Sequence, residues 1–304
     1  MKEKLVSLKE AVKIIQNGNI VAIGGSMLRR HPMAIIYEMI RQNLKDLTLI
    51  GWNNGLDMDV LIGAGCVKEV ESSYIGLTPL GLAKNFRRAA ENQQITVKDC
   101  SEGIAHDRFR AGCMGLTFIP SKTPLGSAIE KYNPELKIIK CPYTGERYAA
   151  LKAWNPDIAI IHAHRADRFG NVQFDAERLP DNDADIIIAR SAKKTIISVE
   201  EIVDTEVISE TPHLTYIPRI FVEAVVETPF GAHPTECDLR YEMDKDFLEY
   251  YYEKSTTQEQ FQEFLNEYVY GVKTHMDYLK KVSIENLFKI KGPKEVMLKN
   301  DISK

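Results

Sequence analysis

An apolar run, Ile20-Val21-Ala22-Ile23, stops at the pair Gly24-Gly25, and Pro32 then opens a segment in which Ile35, Ile36, Met39 and Ile40 recur at helical spacing. Strand, glycine turn and helix in that order make a βα unit. Repeated along a chain, the unit forces a parallel sheet, because parallel neighbours need a crossover between them and a helix is the usual one. Short β-branched runs at 19–23, 46–51, 67–74, 116–119, 136–140, 157–162, 185–189, 194–198 and 220–226 read as strands, and 8–16, 32–43, 57–64, 79–92, 103–113 and 256–279 read as helices. The last helix opens with a capping box, Thr256 with Glu259, ahead of Phe261, Phe264, Leu265, Tyr268, Val269 and Val272. The expected fold is α/β, a mainly parallel open sheet covered by helices. No repeat or linker divides it, so residues 1–290 read as a single α/β domain, weakest at 141–152. Residues 291–304, Lys-rich and containing Gly292-Pro293, read as a C-terminal extension.

Charge and apolar patterning narrow the function classes. A chain of 304 residues with net charge −4 and both signs intermixed offers no basic face for a nucleic-acid backbone, so nucleic acid is not expected as a partner. No apolar run reaches the roughly 18 residues of a membrane helix, and the N-terminus lacks a signal-peptide core, so the expectation is a cytoplasmic protein with no membrane partner. Cys66, Cys100, Cys113, Cys141 and Cys237 are odd in number and lack paired metal spacing. Reduced, mostly buried thiols are expected, with neither disulfide nor metal.

Four constellations carry candidate chemistry. In the glycine loop, backbone N–H groups, the helix start behind Pro32 and the side chains of Arg29 and Arg30 point to an anionic guest; the alternative is a tight strand-to-helix turn with two solvated arginines. Glu102 precedes Gly103 at the mouth of a helix that carries Arg108 and Arg110, where a carboxylate is an ordinary stabilising choice. His162 and His164 share one face of an apolar strand with Asp167 just beyond, which suits a structural polar cluster at the sheet's carboxyl edge better than a metal site. Gly231-Ala232-His233-Pro234 reads as a turn in preference to a general base.

Three stretches resemble, in family order, the alpha subunit of type I coenzyme A transferases. Asn17-Gly18, the apolar run, Gly24-Gly25 and Pro32 are similar to the family's N-terminal signature, with Ser26 and Arg30 where Phe and Gly are usual. Residues 98–119 look like its segment leading into an Arg-x-Arg-Ala-Gly-x-x-Gly helix, here Arg108 to Gly115. Val222 to Tyr278, headed by Gly231-Ala232-His233-Pro234, resembles the glutaconate CoA-transferase alpha subunit. The resemblance, over roughly residues 5–280, implies a heteromeric enzyme that moves coenzyme A between an acyl-CoA and a dicarboxylic or other carboxylic acid. The covalent glutamate then comes from a separate beta subunit, the coenzyme A thioester is substrate, and no cofactor is needed. It also implies an interface loop at Gly24, Gly25 and Ser26, anionic groups near Arg29 and Arg30, and a substrate-facing loop at Ser73 and Tyr74. Glu102 falls in the oxyanion-side slot. Many transferases have Gln there, which can donate a hydrogen bond, whereas the similar alpha subunits of steroid ring-opening CoA-thioester hydrolases have Glu and lack the transferase nucleophile. A ring-opening C–C hydrolase using Glu102 as base, and a non-catalytic subunit, are the alternatives.

Overall fold

The computed structural model describes residues 2–176 and 182–291. Seven strands, β1 (Ile20–Ile23), β2 (Leu47–Ile50), β3 (Val67–Ser72), β4 (Thr96–Asp99), β5 (Ile158–Ala166), β6 (Lys194–Ile202) and β7 (Val222–Glu227), stand in the order β7-β6-β5-β1-β2-β3-β4. Every neighbouring pair is parallel. From β1 the chain winds outward through β2, β3 and β4, then restarts on the other side of β1 with β5. Strand order therefore reverses between β1 and β5, the kind of point around which open α/β sheets bind ligands at their carboxyl ends. Among the described residues no helix is long and apolar enough to cross a membrane.

Alternate residues of each strand face opposite sides, so the sheet supports two cores. Val21, Ile23, Leu49, Ile160 and Ile196 pack with α1 (Leu8–Val12), α2 (Met33–Arg41), α3 (Leu56–Gly63) and the C-terminal helices α7 (Lys245–Lys254), α8 (Gln258–Leu265) and α9 (His275–Val282). Ala22, Ile50, Ala159, Ile161 and Ile197 pack on the other side with α5 (Glu102–Cys113) and α6 (Asn182–Ser191). Between β3 and β4 runs α4 (Lys84–Glu91). A three-stranded antiparallel sheet, Phe118–Ser121, Lys137–Lys140 and Arg147–Lys152, is inserted between α5 and β5.

Several elements differ from the sequence reading. The run 185–189, with three consecutive isoleucines, lies in α6, where Ala184, Ile188 and Ala189 bury against the sheet. Tertiary burial there overrides β-branched propensity. The long helix expected over 256–279 is two: α8 is capped by Thr257, not Thr256, passes into a π turn at Asn266–Tyr270, and restarts as α9 behind a capping box of Thr274 and Asp277. The break turns Phe261, Phe264 and Val269 on one side of it, and Tyr278 and Leu279 on the other, into one core. Strands at 96–99 and 147–152 and the helix α7 are additions to the elements expected from residue pattern. The expected C-terminal extension lies outside the described residues apart from Lys291.

Candidate active site

The loop from Gly24 to His31 leaves β1 at the reversal point and folds tightly on itself. Ser26 and Arg29 exchange backbone hydrogen bonds of 2.9 Å, and Met27 and Arg30 take left-handed φ values of 55° and 49°. Gly25 has φ 87°, and a Cβ there would stand 2.6 Å from the Arg29 carbonyl oxygen, so glycine is required. A Cβ on Gly24 would meet Asp185 at 2.6 Å and Ile161 at 2.8 Å. The anion that this loop receives belongs to the chain itself. Asp185 on α6 accepts from the Gly25 N–H at 2.7 Å with one oxygen and from the Arg30 guanidinium at 3.2 Å with the other.

Arg30 is fully buried; it also pairs with Asp238 at 2.8 Å and lies 5.3 Å from the Phe174 ring centre. The expectation that Arg30 meets substrate anions is corrected accordingly: it braces the loop from beneath. The N-terminal N–H of Ala34 on α2 likewise donates to the Gly231 carbonyl, 2.9 Å away, and His31 spans the loop with ring nitrogens 3.0 and 2.8 Å from the Gly24 and Met27 carbonyl oxygens. Arg29 does reach the surface. It sits 3.5 Å from Asp238 and 3.9 Å from Glu236, beside a hollow of about 130 Å3 lined also by Ser26, Met27 and Thr78. Burial, with Asp238 alongside, pushes the Glu236 carboxyl above its usual range.

Next to that hollow, loops from four successive strand ends form an open cleft of about 470 Å3. Met27 follows β1, Asn53 follows β2, Ser73, Tyr74 and Thr78 follow β3, and Cys100, Ser101 and Glu102 follow β4. The structure thus brings Ser73, Tyr74 and Glu102 together, with Ser26 and Arg29 next door and the glycine pair beneath. The walls are tied to each other: Ser72 Oγ donates to Asn54 Oδ1 at 2.9 Å, Asn54 N–H to the Tyr74 carbonyl at 2.9 Å, and Met27 N–H to the Asn53 carbonyl at 2.8 Å. Tyr74 and Thr78 share a hydroxyl hydrogen bond of 2.7 Å. Sequence reasoning missed Asn53, although Gly51-Trp52-Asn53-Asn54-Gly55 repeats after β2 the strand-then-glycine pattern that marked the first loop.

Glu102 is the exposed first residue of α5, capped by Ser101, and its carboxylate makes no hydrogen bond or ion pair among the described residues. A helix N-terminus stabilises a negative charge there. Cys100 is closed off as a nucleophile, since burial, with Glu71 nearby, pushes its thiol up to about 12. Arg108 is engaged by Glu71 and the Lys152 carbonyl, and stacks over Trp154. A second hollow, about 500 Å3 at the β4 edge, contains Glu71 and Lys98; these are already paired with Arg108 and with Glu69 and Glu135.

The histidine motifs are structural in their contacts. His162 bonds Ser198 at 2.9 Å and Glu200 at 2.8 Å, and Glu200 also accepts from the N–H groups of Phe230 and Gly231 and from the Tyr241 hydroxyl. Burial alone would raise Glu200, yet these donors, His162 foremost, hold it below its usual range. With Cys237 these two residues place ligand-type atoms within 4.8 Å of one another, but the His162–Glu200 contact is a hydrogen bond and the Glu200 oxygens are already occupied. His233 is held between Tyr278 at 2.6 Å and Asp244 at 3.0 Å, fully inside the protein, which is the turn role.

A doubly wound sheet with a braced glycine loop and a cleft over its carboxyl edge is the frame of a small-molecule enzyme of the α/β class. Residues 5–228 match the coenzyme A transferase family, and the chain belongs to it. A protein of Archaeoglobus fulgidus is 41% identical over 93% of this chain; the match spans 63% of that protein's length. The A subunit of glutaconate CoA-transferase from Acidaminococcus fermentans is 34% identical over 95% of this chain and 94% of its own. The crystal structure of glutaconate coenzyme A-transferase from that organism superposes with a TM-score of 0.91 at 33% identity, covering 95% of this chain and 96% of that one. The cholesterol ring-cleaving hydrolase IpdA subunit of Rhodococcus jostii is 31% identical over 89% of this chain and 93% of its own.

Proposed function

We propose that this chain is the alpha subunit of a two-chain CoA-transferase that moves coenzyme A between an acyl-CoA and a carboxylic acid, in the cytoplasm and without a cofactor beyond the thioester substrate. The observation that carries the reading is the end-to-end likeness, in sequence and in fold, to the corresponding chain of glutaconate CoA-transferase. The cleft is consistent with it. Hydroxyls of Ser73, Ser101 and Thr78 and the amide of Asn53 can position a thioester and its acyl group, while the buried Cys100 thiol supplies no nucleophile. The covalent glutamate is assigned to the beta subunit, whose carboxylate takes the coenzyme A as a thioester and passes it to the incoming acid.

A second reading has one observation in its favour. Glu102 stands exposed on the cleft wall, where an ionised carboxylate accepts protons and cannot donate a hydrogen bond to a thioester oxygen. That suits a general base in a ring-opening hydrolase, the activity named for the IpdA relative. Borohydride treatment of the co-purified two-chain enzyme after incubation with acyl-CoA, followed by mass spectrometry of both chains, separates the two. Reduction at a glutamate of the beta subunit is the expected result. No adduct, together with coenzyme A or a ring-opened product released without an acceptor acid, would replace the transferase reading with the hydrolase one.

A further inference from the structure

The open cleft and the smaller hollow beside Arg29 have two residues in common, Met27 and Thr78. These two therefore form the wall between about 470 Å3 of cleft and about 130 Å3 of hollow. Both halves of the wall are held in place. The Met27 N–H donates to the Asn53 carbonyl at 2.8 Å, and the Met27 carbonyl oxygen lies 2.8 Å from His31 Nε2. Thr78 stands at the tip of a short hairpin, Gly76–Leu77 against Gly81–Leu82, and its hydroxyl is latched to that of Tyr74 at 2.7 Å. Tyr74 in turn lies flush with the hairpin backbone, where a Cβ on Gly76 would collide with its ring.

The wall stands across the cleft from Glu102. Met27 follows β1 and Glu102 follows β4, so three inter-strand spacings of ~4.8 Å, roughly 14 Å together, separate the two strand ends. An acyl group whose thioester sits by Ser101 and Glu102 extends toward Met27 and Thr78. Beyond them the hollow offers the apolar side chains of Leu28 and Met243 next to Ser26 and Arg29. Arg29 already faces Asp238 at 3.5 Å and Glu236 at 3.9 Å, so its charge is matched and the hollow suits an uncharged tail. At the ~30 Å3 that one water takes in the liquid, this hollow has room for about four non-hydrogen atoms.

We infer that the wall of Met27 and Thr78, latched by Tyr74, sets the longest acyl chain the enzyme accepts, and that opening it admits about four more carbons. The inference rests on the CoA-transferase reading. It is tested on the co-purified two-chain enzyme as wild type, M27A, T78A, M27A/T78A and Y74F. The kcat/KM values are measured for butanoyl-, hexanoyl-, octanoyl-, decanoyl- and dodecanoyl-CoA, with acetate and glutarate together as acceptor acids. Each methylene that gains buried contact raises kcat/KM roughly fourfold, so the wild-type profile climbs with length and breaks where the tail meets the wall. M27A and T78A should each move the break to longer chains, and the double variant by about four carbons. Y74F, which removes the latch and keeps the ring, should move it by fewer. Every profile is read relative to its own butanoyl-CoA value, so a variant that is only less active overall shifts nothing. A break at the same length in all variants, or a wild-type profile without a break, overturns the inference. If wild type transfers coenzyme A from none of the five, the CoA-transferase reading falls and the inference with it, a result distinct from an unmoved break.

Discussion

The Asp185 carboxylate serves the glycine loop as a built-in anion, taking the Gly25 N–H and part of the Arg30 charge inside a region with no solvent access. Removing one member of a buried charge cluster leaves the others desolvated without compensation, typically at a cost of about 3–5 kcal/mol. D185A is therefore expected to lower unfolding free energy by about 3 kcal/mol in urea denaturation, while D185N, which keeps an acceptor for Gly25, should cost less. His164 gives a second, pH-dependent contribution. Its Nε2–H donates to the Asp238 carbonyl at 2.7 Å and its Nδ1 accepts from the Asp175 N–H at 3.2 Å, an arrangement complete only for the neutral ring. Burial lowers it to about 4, with Asp175 opposing the shift and Arg30 adding to it. Relative to an unfolded histidine near 6.5, stability is fully present above that pH and is lost as pH falls toward 4, by an amount on the order of 3 kcal/mol at pH 4. Unfolding midpoints measured from pH 7 to pH 4 should fall, and H164Q, whose amide can supply one donor and one acceptor, should make the slope shallower.

At the scale of elements, the first turn of α5 presents Glu102 to the cleft while Ile104, Ala105 and Phe109 anchor the helix in the core. Glu102 is exposed at the start of α5, so E102Q is expected to cost no more than the helix-terminus charge contributes, about 0.3–1 kcal/mol, and to act mainly on turnover. With a glutamate on the partner as nucleophile, the Gln amide can donate to the thioester oxygen, and kcat should hold or rise; with Glu102 as base, kcat should fall by about 10^2 to 10^4. Steady-state kinetics of the two-chain variant decides between them. How much of this is legible in the residues varies by element. The β1–loop–α2 unit follows from local pattern, since Gly25 and Pro32 act within their own turn, although the need for glycine at 24 comes from Asp185 and Ile161, far away in sequence. The roles inside it do not: Arg30 is buried by Asp185 and Asp238, which lie 155 and 208 positions away in sequence. The run at 185–189 is helical because Ala184, Ile188 and Ala189 meet the sheet, a fact that no window of local sequence holds. Ser73, Tyr74 and Glu102 are marked by family resemblance, whereas their meeting in one cleft depends on the parallel order of β2, β3 and β4.

At the scale of the whole molecule, the cleft is an open surface made from strand-end loops on one side of the sheet reversal, and its chemistry is incomplete for acyl transfer. Among the described residues no hydroxyl of the cleft is bonded to a histidine: His31 is committed to loop carbonyls, His162 to Ser198 and Glu200, and His233 to Tyr278 and Asp244, while His106 Nε2 and the Ser73 hydroxyl do not bond each other. The Cys100 thiol is held protonated by burial. A serine or threonine hydroxyl without a base, or a thiol far above neutral, is a poor nucleophile toward a thioester. The purified chain by itself is therefore expected to exchange coenzyme A between an acyl-CoA and a free acid no faster than buffer. Titrating in the beta subunit should raise the rate until the two chains are equimolar and no further, with sedimentation showing the complex over the same range. Exchange by this chain alone, unchanged on adding the partner, would mean that the nucleophile lies here, and Glu102, the carboxylate on the cleft wall, would then be the residue to which the covalent thioester has to be traced.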